Sequence, residues 1–373
     1  MYNQIREDTL YTMLYAVVTA MALMASCYLL FRDGNAFASE ITPPKRLRRW
    51  AAMFFAAFAL NHVWYMPIFF LTSNDDIRMC DLVGGLLDSM TLIPLAIIVL
   101  LAMLQDRRRP LWPVAVIMAP IVLGGLYNVA TRSYALLPIV NVYFLSICIG
   151  FIIYVVRALR QYGRWLRDNF ADLEHKEVWQ SFVVLAIILL VFGIYAVSGE
   201  GPAYQYAMQL IIAVLICYLL WRVETLSDLS IPVNDAAEEM VTTENLEDSD
   251  LSLSIRNNIE PLLKMYCEEP QLYLQNDISI FKLATQIGIN RSYLSKHFAL
   301  QGISYNAYIN GLRIQHFVNL YHESVAKHQP VTAQQLAHQS GFHSYSTFSA
   351  VFKQAMGMTA TEWMRNNAEQ KQH

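Results

Sequence analysis

The chain has 373 residues, of which 55% are hydrophobic and 15% are charged, and its formal net charge is −3. A soluble globular chain is about half apolar and a quarter charged, so this composition excludes an ordinary soluble protein. The apolar excess lies within residues 1–223, whereas residues 224–373 have a soluble composition. The five cysteines are scattered and form no CxxC pair, which argues against a disulfide framework or a zinc site.

Residues 1–223 contain apolar stretches that are long enough to cross a lipid bilayer, which takes about 20 residues. The fourth stretch is the weakest because Pro113 and Pro120 interrupt it, although transmembrane helices tolerate proline. We therefore predict a seven-helix transmembrane bundle. The seven stretches are 10–31, 50–71, 82–104, 111–130, 134–156, 178–198 and 203–223.

Basic residues are concentrated in alternate loops of this bundle. Because positively charged loops stay in the cytoplasm, this asymmetry predicts an outside N-terminus and a cytoplasmic C-terminal region. Trp50, Trp112, Trp179 and Trp221 fall at the predicted inner ends, where indole rings are favoured. The basic residues after the first, third and fifth stretches are Arg32, Lys45, Arg46, Arg48, Arg49, Arg107, Arg108, Arg109, Arg157, Arg160, Arg164, Arg167 and Lys176.

Four polar residues lie inside the apolar stretches: His62, Asp88, Asn141 and Gln209. Such groups are costly in a membrane and tend to face a bundle interior or a wet cavity. One interpretation is a ligand-binding pocket that opens outward. The other is a set of hydrogen bonds between helices that fixes the bundle.

Catalytic signatures are absent from the sequence. HExxH, GxSxG, the P-loop and GxGxxG do not occur, and only one aspartate lies within an apolar stretch. We therefore predict that the protein is not an enzyme and that it needs no cofactor and no metal.

The apolar region is followed by an acidic connector. Residues 224–250 contain nine Asp or Glu, and no Lys or Arg occurs between Arg222 and Arg256. This composition predicts a flexible linker over residues 224–255. The linker would act as a spacer, or it would compete with DNA for the basic surface that follows. Both interpretations stay open.

Residues 256–373 contain an internal repeat. LATQIG at 283–288 matches LAHQSG at 336–341, and YLSKHF at 293–298 matches TFSAVF at 347–352. GIS at Gly302 is answered by GMT at Gly357, and an aromatic residue follows in each copy, Tyr308 or Trp363. Because the matches keep their order at an offset of 53 to 55 residues, the region consists of two copies of one unit.

Each copy is typical of a helix-turn-helix. A short helix ends at a glycine that needs positive φ, and a second helix begins at an N-cap. This cap is Asn290 in copy one and either His343 or Ser344 in copy two. Leu294 with Phe298, and Phe348 with Phe352, recur at i and i+4, so they should face the core. Thr332 and Thr359 begin capping-box patterns for further helices.

The polar front of each second helix has the side chains that read the major groove of DNA. A long helical pattern over 304–324 would separate the two copies by about 30 Å, near one duplex turn. Residues 271–373 hold eight Lys or Arg and four Asp or Glu, a net charge of +4. A protein-interaction bundle is the alternative. The predicted DNA-binding residues are Arg291, Ser292, Ser295, Lys296, His343, Ser344, Tyr345, Ser346, Thr347 and Lys353.

Residues 277–365 resemble the DNA-binding domain of the AraC/XylS family of bacterial transcription regulators. The resemblance includes both copies of the helix-turn-helix and the long helix between them. Ala360 stands where that family usually has proline, and Arg365 lies one place later than the usual arginine. The resemblance implies that residues around 291–296 and 344–347 enter successive major grooves. Copy two matches the family signature at Gly341, Phe342, Phe348, Phe352, Lys353, Gly357, Thr359 and Trp363.

Residues 1–223 do not resemble the cupin-like sugar-binding domain that is common in that family. They resemble a rarer arrangement, in which a multi-span membrane domain takes its place. We therefore expect an all-α, membrane-embedded regulator in the bacterial cytoplasmic membrane, with domains at 1–223, 224–255 and 256–373. Its expected partners are double-stranded DNA and the lipid bilayer. RNA polymerase, a second copy of the chain, and a small-molecule or protein signal are left open as partners. The alternatives are a membrane anchor without a sensory role and a transporter with a DNA-binding tail.

Overall fold

A computed structural model of the chain describes residues 8–32, 35–37, 41–198, 202–229 and 259–370. The secondary structure of these residues is helical apart from one isolated bridge between Phe170 and Ser279, which confirms the predicted all-α class. The chain forms two compact units. The N-terminal unit comprises Met1–Tyr162 and Val178–Leu229, and the C-terminal unit comprises Gly163–Glu177 and Ser230–His373.

Eight α-helices are described between Thr9 and Thr225, and a short 3-10 helix, Met66–Phe69, follows the second of them. Six helical stretches are long and apolar enough to cross a membrane, namely Thr9–Phe31, Lys45–Phe69, Asn74–Ala102, Trp112–Thr131, Leu137–Asn169 and Tyr204–Thr225. Each of them overlaps a predicted span, but Leu137–Asn169 extends past the predicted end at residue 156. Arg157, Arg160, Arg164 and Arg167 therefore lie in a helix and not in a loop as predicted. The helices are α1 (Thr9–Phe31), α2 (Lys45–Tyr65), α3 (Asn74–Met90), α4 (Leu92–Ala102), α5 (Trp112–Thr131), α6 (Leu137–Asn169), α7 (Trp179–Ser198) and α8 (Pro202–Thr225).

The remaining predicted span, 178–198, is the helix α7. Its side chains are described only as far as Ile188, so the described apolar helix is shorter than a bilayer needs. The predicted count of seven spans therefore stays a prediction.

The predicted third span is broken into α3 and α4 at Thr91, whose φ is −125° and ψ is −70°. Pro94, near the start of α4, has no N–H to bond back to the carbonyl of Met90, so an uninterrupted helix would lose that hydrogen bond. At the break, the Thr91 hydroxyl donates to the carbonyl of Leu87 at 2.7 Å. Pro120 lies inside α5, which continues through it.

Small residues bring α1 and α2 together. Ala22, Ala25, Ala51 and Ala52 are buried, and the Ser26 hydroxyl donates to the carbonyl of Ala52 at 2.8 Å. Small side chains allow two backbones to approach closely, which is the way helices associate in an apolar solvent.

The N-terminal unit extends past the predicted boundary at residue 223. Glu224 is fully buried in the last turn of α8, where its carboxylate lies 3.0 Å from Nε of Arg48 and accepts a hydrogen bond from Tyr28. The unit ends at Leu229, so the first residues of the predicted linker are folded. Residues 230–255 of that linker lie outside the described residues.

The C-terminal unit contains two hydrophobic cores joined by one long helix. A helix, α9 (Ile259–Leu263), precedes the two copies of the repeat. The long helix supplies Tyr305 and Ile309 to the first core and Ile314, Phe317 and Tyr321 to the second. The remaining helices are α10 (Ile280–Ile287), α11 (Arg291–Leu300), the long α12 (Tyr305–Ala326), α13 (Ala333–Gln339), α14 (Tyr345–Met356) and α15 (Ala360–Gln370).

Candidate DNA-binding surface

The first helix-turn-helix is formed by α10 and α11. Gly288 ends α10 with a φ of 78°, a conformation that suits glycine. Asn290 caps α11, because its side-chain oxygen accepts from the N–H of Ser292 at 2.8 Å. Leu294 and Phe298 are 0% and 2% exposed. The caps and the core positions of copy one are as predicted.

The second helix-turn-helix is formed by α13 and α14. Thr332 and Gln335 form a reciprocal capping box at the start of α13. Of the two candidate caps of α14, Ser344 is the one used, since its hydroxyl accepts from the N–H of Thr347 at 3.3 Å. Phe348 and Phe352 are fully buried, as predicted.

The predicted DNA-binding side chains divide by exposure. The exposed members are Ser292, Lys296, His343, Ser346 and Lys353. The partly buried members are Arg291, Ser295, Ser344, Tyr345 and Thr347.

Two of the partly buried residues have local structural roles. Tyr345 packs its ring against Phe348 at a centroid distance of 5.7 Å. The hydroxyl of Ser344 is occupied by the cap of α14. We therefore expect these two side chains to shape the front of α14 rather than to read bases.

A segment from outside the repeat packs against the first helix-turn-helix. This segment, Gly163–Glu177, includes the C-terminal end of α6 and belongs to the C-terminal unit. The N–H of Ala171 donates to the carbonyl of Ile278 at 3.2 Å, and the Asn306 amide donates to the carbonyl of Phe170 at 3.3 Å. Ala171 is 1% exposed and lies within the first core.

Charged groups of the same segment pair with groups of the repeat. Nζ of Lys176 lies 2.6 Å from the Asp277 carboxylate. Burial raises the pKa of Asp277, but the hydrogen bond and the charge of Lys176 outweigh it and hold that pKa below its ordinary value. Glu174 lies 3.5 Å from Nδ1 of His343 at the front of the second unit.

Arg313 of α12 lies between the two cores with a fully buried side chain. Its guanidinium donates to the carbonyls of Tyr273 at 2.8 Å and Gln275 at 2.9 Å, and it lies 3.7 Å from the Asp172 carboxylate. Burial lowers the pKa of Arg313. The carbonyls and Asp172 together compensate the cost of removing the guanidinium from water.

Arg291 is the predicted DNA-binding residue most affected by Gly163–Glu177. A small cavity joins its side chain to Trp165, Asn169 and Phe170. Partial burial lowers the pKa of its guanidinium. The segment therefore limits the room that Arg291 has for reaching a DNA base.

Sequence reasoning missed Gly163–Glu177 as a part of this surface. One signal was present, since Arg313 interrupts a buried stripe between Ile309 and Phe317, and a buried arginine needs a carboxylate or carbonyl partners. The partner Asp172 lies 141 residues upstream, and no periodic pattern connects the two positions.

The four polar residues of the apolar stretches do not converge on one site. Nε2 of His62 lies 3.3 Å from the Gln209 side-chain oxygen, which is the geometry of an interhelical hydrogen bond. Asp88 accepts from the Asn61 amide at 2.8 Å. Asn141 is exposed on α6. A hydrogen bond within the predicted set therefore joins His62 to Gln209, whereas Asp88 bonds to Asn61 outside the set.

Comparisons with known proteins agree with the geometry of the C-terminal unit. Residues 283–366 match a family model described as a helix-turn-helix domain. Two curated relatives, the TCP pilus virulence regulatory proteins of a classical and an El Tor strain of Vibrio cholerae, are each 33% identical over 79 residues. This alignment covers 21% of this chain and 27% of each relative. No solved structure matches the chain.

The matched region begins at Leu283, in the first helix of copy one, and ends just beyond Trp363 of copy two. It therefore includes both helix-turn-helix units and the long helix α12 between them. The C-terminal part of this chain therefore carries a helix-turn-helix domain.

Proposed function

We propose that this chain is a membrane-embedded transcription regulator that binds promoter DNA through its two helix-turn-helix units. The observation that carries the proposal is the pair of exposed polar fronts, with Ser292 and Lys296 on α11 and His343, Ser346 and Lys353 at or near α14. Each front lies on a helix whose other side is fixed in an aromatic or aliphatic core. A rigid helix with a polar front is what direct readout in the major groove requires.

The length of α12 supports simultaneous binding by both units. Its 22 residues correspond to about 33 Å at 1.5 Å per residue, close to the repeat of the DNA duplex. Lys296 and Lys353 supply charge for phosphate contacts, and Ser346 and, from its partly buried position, Arg291 supply hydrogen-bonding groups for bases.

Membrane embedding is supported by the six long apolar helices and by the positive charge of alternate loops. In this proposal the N-terminal unit holds the protein in the cytoplasmic membrane and senses a signal. A swap of the apolar helices for an unrelated anchor, with Gly163–Glu177 retained, tests the sensory part. Regulation that survives the swap would leave the N-terminal unit as an anchor alone.

The test of DNA binding uses the full chain in lipid nanodiscs, because Gly163–Glu177 contributes to the fold of the C-terminal unit. The protein is incubated with sheared genomic DNA, and the recovered fragments are sequenced. The wild type should enrich fragments that share a motif with two half-sites about one helical turn apart.

The comparison variant carries Arg291→Ala and Ser346→Ala, and the control carries Lys327→Ala, an exposed lysine outside both recognition helices. The double variant should lose the motif, and the control should keep it. Recovery of the same unselective, salt-sensitive fragments by all three proteins would refute sequence-specific binding through these helices.

A further inference from the structure

The N-terminal unit contains a cavity of about 220 Å³ whose lining includes none of the four predicted ligand-binding residues. It lies among the first turns of α1, the end of α2 and the first turns of α8. We propose that this cavity binds a small organic cation, such as a primary or quaternary ammonium ion. The residues that line it are Tyr11, Tyr15, Tyr65, Ile68, Phe69, Tyr204, Gln205 and Met208.

Five of the eight lining side chains are aromatic. The ring of Phe69 lies 6.0 Å from that of Tyr11 and 5.2 Å from that of Tyr15, so three rings from two helical segments meet at one wall. The faces of aromatic rings carry a negative partial charge, and a cluster of such faces is the arrangement that recognises ammonium groups.

A carboxylate lies behind one of these rings. The hydroxyl of Tyr65 donates to one oxygen of Asp88 at 3.2 Å, and the Asn61 amide donates to the other oxygen. Within the described part of the chain, no Lys or Arg forms a salt bridge with Asp88. A carboxylate inside an apolar helix is costly without an opposite charge, and a bound cation would supply one.

A second carboxylate lies near another wall. Asp8 caps α1 and accepts from the Tyr206 hydroxyl at 2.7 Å. The ring of Tyr206 is 5.5 Å from that of Tyr11, which lines the cavity. The cavity therefore has an acidic group behind two of its walls and no Lys or Arg among its lining residues.

His62 lies beside this cavity and not in its lining. Its ring lies 4.6 Å from the Tyr15 ring. Its ring nitrogens lie 3.1 Å from the carbonyl of Phe58 and 3.3 Å from the side-chain oxygen of Gln209. Both nitrogens are therefore engaged within the protein.

The size of the cavity limits the ligand. Pockets for drug-sized ligands span about 300 to 1,000 Å³, so a volume of about 220 Å³ suits a smaller molecule. The three helix ends that form it are those predicted to face outward, which would expose the cavity to extracellular molecules or to lipid headgroups. Control of DNA binding by such a ligand rests on the proposed function, whereas the binding itself does not.

The experiment compares choline with its uncharged isostere, 3,3-dimethyl-1-butanol, by calorimetric titration of the full chain. The nanodiscs contain phosphatidylglycerol, which has no ammonium group. Choline should bind at least about tenfold more tightly than the isostere, because only the cation gains from the rings and carboxylates. Equal affinities, or no saturable binding of choline, would overturn the proposal.

Nanodiscs of phosphatidylcholine distinguish the two sources of the ligand. If a lipid headgroup occupies the cavity, added choline will bind in phosphatidylglycerol and not in phosphatidylcholine. If the ligand is a free molecule, choline will bind in both. DNA binding by the same samples is measured in parallel, so that a failed ligand site is distinguished from a failed proposed function.

Substitutions at Tyr204 test the role of the ring. Tyr204→Phe keeps an aromatic face and should keep choline binding, whereas Tyr204→Leu should weaken it roughly tenfold. Tyr127→Leu is the matched control, because Tyr127 is 50% exposed on α5 and does not line the cavity. Equal loss of choline binding in all three variants would indicate damage to the fold. In that case the affinities of Asp88→Asn for choline and its isostere test the proposal. If Asp88→Asn leaves the preference of choline over its isostere unchanged, the proposed charge recognition is wrong.

Discussion

The two helix-turn-helix units share a local design but differ in what supports them. In both, a side chain caps the second helix and two apolar residues at i and i+4 enter the core. The second unit is held by its own aromatic cluster, in which the Phe317 ring lies 4.7 Å from Phe348 and 5.3 Å from Phe352. The first unit is held in part by Gly163–Glu177, a segment from far upstream.

This difference shows that a sequence repeat preserves the local conformation while its support is free to diverge. The caps and turns depend on residues within each copy. The surroundings of each copy depend on tertiary contacts, and Gly163–Glu177 enters the hydrophobic core of the first copy. The variants below separate the two kinds of support.

Arg313→Ala should have the largest effect, because it removes the residue that joins Gly163–Glu177 to the repeat. The substitution leaves Asp172 buried without its opposite charge and leaves two carbonyls without a donor. Breaking a buried pair in this way typically costs about 3–5 kcal/mol. Chemical denaturation of the full chain in nanodiscs, followed by hydrogen exchange of peptides from both units, measures the loss.

As denaturant is added to Arg313→Ala, hydrogen exchange should rise first in peptides from α10 and α11. It should rise later in peptides from α13 and α14. Lys327→Ala is the control, since Lys327 is an exposed residue of the same region whose removal should change stability little. A uniform rise in both units would show that the supports are not separable.

Gly341→Ala and Gly288→Ala compare the turns of the two copies. Both glycines have positive φ, at 85° and 78°. A Cβ on Gly341 would lie 2.7 Å from Cα of Leu274, whereas one on Gly288 would meet nothing within 4 Å. Alanine at Gly288 should cost about 1 kcal/mol for its left-handed backbone, and alanine at Gly341 about 2–4 kcal/mol because the clash adds to that cost.

The measurement is the midpoint of denaturation for each variant against the wild type. Equal losses at the two positions would mean that Leu274 moves aside without cost. The difference between the two variants is informative because the conformational part of the cost is common to both.

Much of this design could be predicted from the sequence. The repeat, Asn290 as a cap, the capping box at Thr332 and the buried positions of Leu294 and Phe348 depend on spacing and on local hydrogen bonds. Local rules of this kind act within about four residues, so a linear pattern contains them.

The remainder depends on contacts between distant residues. The break at Thr91 and the pairing of Asp172 with Arg313 have no periodic signature. The aromatic cavity is formed by Tyr11, Tyr65 and Tyr204, which belong to three separate helices. Tyrosine at a helix end is common at a membrane interface, so none of these residues stood out singly.

Lys176→Met tests the contribution of the ion pair with Asp277. The pKa of Asp277 is held below its ordinary value, so the pair stabilises the folded state above that value, and the contribution is lost as pH falls through the lowered pKa. Since Asp277 is mostly exposed, the expected loss at pH 7 is about 1 kcal/mol.

Denaturation of wild type and Lys176→Met is compared at pH 7 and at the lowest pH at which both remain folded. The difference between the proteins should shrink as the pH approaches and passes below about 4. A difference that is constant over this range would assign the effect of Lys176 to its packing rather than to its charge.

Lys296→Ala and Lys353→Ala compare the phosphate contacts of the two units. Both lysines are exposed, one on each recognition helix. Each substitution should weaken DNA binding similarly for all sequences and reduce the slope of log affinity against log salt by about 1. If only one lysine changes the slope, the two units do not contact the backbone equally. Lys327→Ala again serves as the control.

The smallest effect is expected for Glu174→Gln, which probes a charged contact between Gly163–Glu177 and the front of the second unit. Glu174 lies 3.5 Å from His343, both side chains are partly exposed, and the pair should contribute less than about 0.5 kcal/mol to folding.

The carboxylate of Glu174 nevertheless lies beside a residue predicted to face DNA, where it would repel phosphate. Glu174→Gln should therefore raise DNA affinity roughly twofold at low salt and leave the denaturation midpoint unchanged, and the gain should vanish at high salt. A gain that persists at high salt would indicate that Gly163–Glu177 blocks the surface sterically, and in that case Trp165→Ala, beside Arg291, should produce the larger increase.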